Sequence, residues 1–318
     1  MIQAGKVIRF LCLLLFILSQ LSCESPENLG KLEGALKSNE IRAHLQFLAD
    51  DLLEGRAPGS RGGDLAAKYI ASQFLEAGLL PAVGDTSYFQ NVELLGMTPK
   101  ATLTITGGGK RWRLQQGSQF VGWTKIEKAN VTTRNKDVIF MGYGIEAPEF
   151  NWNDYKDTDV SGKILLMFVN EPQSEDSSFF AGRALTYYGR WTYKYEQAAR
   201  KGADGVILIH TTPMAGYPWK VVRNSWTGEQ FYIRAPEGMH LLQLESWITE
   251  DVAREILQTI GYNLDDLIKQ ANSREFKPVA LPLRVSSSIQ NTIRTIYSPN
   301  VIAKLEGSDP DLKNEYII

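Results

Sequence analysis

The sequence predicts a mixed α/β protein. Three features carry that expectation: two amphipathic helical stretches between residues 38 and 78, a strand–helix–strand succession between residues 163 and 210, and alternating apolar strands on either side of it. At 318 residues the chain is long enough for two domains. Its 43% hydrophobic and 22% charged content is that of an ordinary globular protein. The net charge of −2 supplies no field for phosphate backbones, so nucleic acid is not an expected partner.

The N-terminus reads as an export signal, with Lys6 and Arg9 ahead of the unbroken apolar run Phe10 to Leu18. That run is shorter than the ~20 residues a spanning helix needs. Gln20-Leu21-Ser22-Cys23 resembles a bacterial lipoprotein box, which makes Cys23 the candidate for lipidation. Gln20 departs from the aliphatic residue of that box, and cleavage by an ordinary signal peptidase near Ser22 is the other reading. The expected location is the periplasm or cell envelope, with the membrane reached only through a lipid anchor. No cysteine follows Cys23, so the mature chain has no intrachain disulfide.

Residues 24–37 are polar and without period, hence a tether. Ile41, Leu45, Leu48 and Leu52 then mark a helix expected to bury one face, ended by Gly55. Arg56 to Gly63 (RAPGSRGG) is a loop by its turn chemistry. A second helix follows, with Asp64 as its cap, Ala66, Ile70, Phe74 and Ala77 as its inner stripe, and Gly78 as its terminator.

The period changes after Pro99. Leu103 and Ile105 alternate with threonines, and Gly107 to Gly109 turn the chain toward Trp112 and Leu114 as a hairpin. Gly108 to Lys110 lacks the spacing of a phosphate loop. Val138 to Tyr143 and Lys163 to Val169 are strands, the second apolar on both faces and so central in its sheet. A helix through Tyr188, Trp191, Tyr195 and Ala198 ends at Gly202 and leads into the strand Gly205 to His210, which implies a parallel crossover.

Thr211 to Glu237 reads as a long aromatic loop. Helices at Thr249 to Ile260 and Asn263 to Ala271 follow, then strands at Leu281 to Val285, Ile289 to Ile296 and Asn300 to Leu305. Tyr316 to Ile318 reads as the start of another strand, from which the folding unit is expected to continue beyond residue 318.

Catalytic constellations are not legible. His44, His210 and His240 are far apart, and none sits in H-E-x-x-H or a paired Cys/His spacing. A G-x-S-x-G elbow is lacking, and acidic runs such as Asp50-Asp51, Asp154 to Asp159 and Asp265-Asp266 fit caps, turns and solvated faces.

Several segments resemble one family, the zinc exopeptidases related to aminopeptidase Y, glutamate carboxypeptidase II and the transferrin receptor. His44 to Leu79 is similar to the helix–loop–helix opening of their peptidase domain. Asp159 to Met167 (DVSGKILLM) with Glu196 to His210 (EQAARKGADGVILIH) resembles their inserted protease-associated domain. Gly182 to Glu196 and Tyr217 to Gln230 resemble bacterial members in particular, and Ser298 to Ile318 resembles the return into the peptidase sheet.

The resemblance implies the helical start of an α/β zinc-peptidase domain (38–97), an inserted β-rich protease-associated domain (98–287), and a truncated return (288–318), behind a signal peptide (1–23) and the tether (24–37). It implies metal-assisted peptide hydrolysis with two zinc ions in the full-length protein. The H-x-D motif and the other metal ligands would fall past Ile318, so this chain carries no catalytic or metal residue and no cofactor, and is expected to be inactive alone. Peptides are the implied substrates, and a homodimer is compatible with the reading. Arg56, Arg190 and Trp226 are the candidate substrate-facing residues, expected to meet in one cleft. The alternative is a non-catalytic binding module of the same fold, as in the transferrin receptor.

Overall fold

The computed structural model describes residues 37–318. Helices and one large mixed sheet build a mixed α/β architecture, as the sequence predicts. The described chain forms two compact units, residues 37–90 with Pro299–Ile318, and Asn91–Ser298.

In the first unit, helix α1 (Ser38–Leu48) is followed by a 3-10 segment (Asp51–Arg56) and helix α2 (Arg61–Glu76). The cap of α2 is Ser60, whose side chain accepts from the Gly63 amide, rather than Asp64. Gly78 adopts φ +73°, the left-handed geometry expected of a terminator. The apolar stripe of α1 is a correction. Ile41, Leu45 and Leu52 are 51%, 61% and 80% exposed, and α1 buries no residue. Periodicity marks the face that favours burial without supplying a partner for it; within this unit cover reaches Leu53, Ala66, Ala67 and Ala71 instead. A short pair, β1 (Leu80–Pro81) with β13 (Ala303–Lys304), completes the unit.

The second unit holds a short antiparallel pair, β6 (Glu146–Ala147) with β7 (Trp152–Asn153), and is built on strands β2 (Phe89–Gly107), β3 (Lys110–Leu114), β4 (Phe120–Trp123), β5 (Asn130–Phe140), β8 (Ile164–Phe168), β9 (Gly205–His210), β10 (Gln230–Tyr232), β11 (Leu244–Thr249) and β12 (Val279–Val301). Their order is β10-β2-β12-β5-β8-β9-β11-β4, with β3 pairing β2. The β2–β3 hairpin pairs Gly107 with Lys110 and Leu103 with Leu114, as expected. β5, β8, β9 and β11 run parallel. Helix α3 (Trp191–Arg200) makes the β8-to-β9 crossover that the sequence implied.

β8 is buried on both faces. Ile164, Leu166 and Phe168 join one apolar cluster, Leu165, Met167 and Val169 the other. The first cluster is closed by α6 (Glu250–Thr259) and α7 (Leu264–Ala271), capped by the side chains of Thr249 and Asn263.

Three further expectations are corrected. The supposed loop from Thr211 to Glu237 folds into α4 (Thr212–Ala215), α5 (Trp219–Trp226) and β10. Trp219, Val222 and Trp226 recur at helical spacing and pack on the cluster that holds Trp123. The two strands expected at 281–285 and 289–296 are one strand, β12, with register shifts against β5 between Leu281 and Arg284 and between Val285 and Ser287. Tyr316 to Ile318 is outside any strand, and β4 and β11 escaped the pattern reading.

Candidate functional site

A cavity of about 640 Å³ opens in the second unit between α3, β10 and the segment from Ile233 to Leu242. Helix α3 forms because its apolar positions recur at three and four residues. Tyr195 and Ala198 face the sheet, while Ala199 and Arg200 border the cavity. Tyr195 is fixed by donating its hydroxyl hydrogen to the Ser246 carbonyl at 3.1 Å.

The floor of the cavity carries a buried carboxylate. Glu245 lies on β11 opposite Trp123 of β4, and the Trp123 indole N–H donates to its Oε2 at 3.0 Å. Lys125 Nζ stands 3.5 Å from Oε1. Burial raises the Glu245 pKa above its ordinary value, and Lys125 and the indole offset part of that rise. Lys125 also lies over the Tyr232 ring, 5.9 Å from its centroid, and the buried Tyr232 hydroxyl has no hydrogen-bond partner among the described residues. Other cations near the mouth are engaged: Arg234 with Glu127 and Glu93, Arg200 with Glu196 and Gln197.

A second concentration of buried charge surrounds Lys194 of α3, whose side chain is wholly enclosed and whose Nζ has no hydrogen-bond partner among the described residues. It lies 5.7 Å from the ring centroids of both Tyr143 and Tyr193. Asp154 and Glu171 supply the nearby negative charge. Asp154 corrects the reading of its acidic run as a solvated turn: it is buried and accepts from the Trp152 indole at 2.8 Å and the Ile145 amide at 3.0 Å; Glu171 accepts from the amide and hydroxyl of Thr186. Burial pushes Lys194 down to about 7 and Asp154 up to about 7.

The residues singled out from sequence are placed as follows. Trp226 stacks on Trp123 with centroids 3.9 Å apart and meets Trp191 edge-on at 5.0 Å. Arg190, exposed, is the residue before Trp191 and stands at the N-cap of α3. Arg56 belongs to the first unit, where it borders a depression of about 360 Å³ beside Asp50, Asp51 and Glu54. Cys23 lies outside the described residues. Glu245, Lys125 and Tyr232, which make the polar end of the cavity, were not singled out from sequence, and no local motif marks them.

The described residues do not fit a zinc centre. No group of three or more His, Cys, Asp and Glu side chains among them could hold a metal ion. Each histidine is also otherwise engaged: His44 Nδ1 with the Tyr69 hydroxyl at 2.9 Å, His210 Nε2 with the Tyr217 carbonyl at 3.0 Å, His240 Nε2 with the Ala203 carbonyl at 2.7 Å. No step through a metal is derived from these residues. No described helix is long and apolar enough to cross a membrane.

Comparison with known proteins finds no family model that matches the chain and no match among curated proteins. Among solved structures, a zinc aminopeptidase from Bacillus subtilis is similar with a TM-score of 0.30 and 11% identity, over 80% of this chain and 45% of that one. The chain therefore spans less than half of that neighbour's length. A likeness this loose carries no argument about chemistry.

Proposed function

We propose that the chain is part of an exported zinc-dependent aminopeptidase-like hydrolase, in which the Asn91–Ser298 unit acts as a protease-associated domain and helps to shape the substrate cleft. The observation that carries this reading is the place of the two family-like segments. Asp159 to Met167 leads into β8, Glu196 to His210 supplies the end of α3 and β9, and β8 and β9 pair in parallel across one crossover. A cavity with apolar walls and a polar end opens beside that helix. The metal ligands are assigned by this proposal to the H-x-D segment that the resemblance places after Ile318.

Hydrolysis of leucyl-nitroanilide by the protein extended through that segment, lost on adding a metal chelator, is the expected result. An extended protein that is folded and inert would defeat the reading. A non-catalytic binding module is the second reading; the observation favouring it is the same cavity, whose polar groups can hold a ligand without any metal.

The proposal also places the mature protein on a bacterial membrane facing away from the cytoplasm, tethered through Cys23. Its support is Ser22-Cys23 behind the apolar signal. Intact-mass analysis of the protein expressed in a bacterium is expected to show a diacylglyceryl group on a chain beginning at Cys23. A mature N-terminus elsewhere, without lipid, would refute the tether.

A further inference from the structure

We propose that a groove in the second unit, about 780 Å³ in volume, binds a small sugar acid, holding its carboxylate on Arg274 and Lys156 and its hydroxyls on neighbouring side-chain amides. The groove runs between the β6–β7 pair, α3 and the turn after α7. Part of its charge is already matched: Arg200 pairs with Glu196 at 3.3 Å, and Glu146 pairs with Lys201 at 2.7 Å. Lys156, Arg274 and Glu275 border the same space and form no ion pair among the described residues. Two cations against one carboxylate leave a single positive charge, which suits a monocarboxylate better than a phosphate dianion.

Both cations are oriented without help from a carboxylate. The Arg274 guanidinium donates through one nitrogen to the Phe150 carbonyl at 3.0 Å and lies over the Phe179 ring, 4.7 Å from its centroid. These contacts fix its plane and spare N–H groups on its other nitrogens, the fork that takes a carboxylate through two hydrogen bonds. Lys156 Nζ donates to the Arg274 carbonyl at 2.5 Å and keeps two N–H donors. Its backbone stands at φ +42°, a left-handed geometry unfavourable for a long side chain, and is held there by the Asn153 side chain, which accepts from the amides of Tyr155 and Lys156.

The rest of the groove argues for a hydroxylated ligand. Asn153 Nδ2 remains a donor, and the Asn151 side chain makes no hydrogen bond among the described residues, so two amides face the groove beside the cations. The half-buried Tyr188 lines the wall with its hydroxyl engaged by Glu149, which leaves its ring for the C–H face of a sugar. An apolar acid would leave the amides unused, and a neutral sugar would leave the guanidinium unused. The inference is independent of the hydrolase reading, since this groove needs no metal and no segment after Ile318; either can fail without the other.

Calorimetric titration of the full chain at low salt tests it, with glucuronate, glucose, hexanoate and glucose 6-phosphate as probes. Glucuronate is expected to bind at least about tenfold more tightly than glucose, the worth of hydrogen bonds to a charged group, and more tightly than hexanoate or glucose 6-phosphate. Arg274→Gln should weaken glucuronate binding by about tenfold. Because Arg274 also touches Phe150 and Phe179, Glu275→Gln supplies a second readout: the Glu275 side chain is exposed and makes no hydrogen bond among the described residues, and removing its charge should tighten glucuronate binding about threefold. Absence of glucuronate binding, equal binding of glucose or hexanoate, tighter binding of glucose 6-phosphate, undiminished binding by a folded Arg274→Gln protein, or binding that Glu275→Gln leaves unchanged or weakens would each overturn the proposal.

Discussion

Substituting Gly62 by alanine is expected to cost about 3 kcal/mol or more, enough to disrupt the helical part of the first unit. A Cβ at this position would lie 1.7 Å from the Leu53 carbonyl oxygen and 2.5 Å from its carbon, and both are backbone atoms that cannot rotate away. The first turn of α2 would have to separate from the 3-10 segment that holds Leu53, the most deeply buried apolar residue of that unit. Gly78 provides the internal contrast. Its φ of +73° penalises alanine, but nothing lies within 4 Å of the added Cβ, so Gly78→Ala should cost only about 1 kcal/mol. Limited proteolysis across Leu53 to Arg61 measures the difference. Rapid cleavage in Gly62→Ala with near-normal resistance in Gly78→Ala is expected, and equal resistance in both would refute the packing argument.

Replacing Lys194 by methionine is expected to abolish the rise of stability with pH that this buried ammonium imposes above about pH 7. The ammonium is enclosed with no hydrogen-bond partner among the described residues, faced by Asp154, Glu171, Tyr143 and Tyr193. Burial lowers it from 10.5 to about 7, and the two carboxylates offset only part of that fall. Between about 7 and 10.5 the unfolded chain therefore binds a proton on Lys194 that the folded chain has lost, so stability rises with pH in that window.

Asp154 acts in the opposite direction. Its carboxyl is raised from 3.8 to about 7, chiefly by burial, so between those values the folded chain holds a proton that the unfolded chain has released. Stability then falls as pH rises. Together the two groups place a minimum near pH 7. In Lys194→Met the rise above pH 7 should vanish while the fall below it persists. Urea unfolding at about pH 5, 7 and 9 would show this; parallel profiles in the two proteins would contradict it.

Much of the second unit was legible because its signals are local. The run of apolar residues through β8, the turn at Gly107 to Gly109, and Gly202 (φ +80°) ahead of β9 each follow from the preferences of a few neighbouring residues. What escaped depends on distant partners. Lys194 sits in a helix read only by its stripe of Tyr188, Trp191, Tyr195 and Ala198, and its enclosure involves Asp154 and Glu171, which lie on other segments. Glu245 stands among Leu244, Ser246 and Trp247 on a strand whose six residues do not reveal which face meets Trp123. The stripe of α1 shows the reverse limit: the face was identified, but nothing local says whether a partner covers it.

The hydrolase reading is tested most directly by zinc content, measured by mass spectrometry on the purified chain of residues 1–318 and on the protein extended through the H-x-D segment. Near-zero zinc in the shorter chain and about two zinc ions per extended chain are the expected result. Stoichiometric zinc in the shorter chain, or none in a folded extended one, would contradict it.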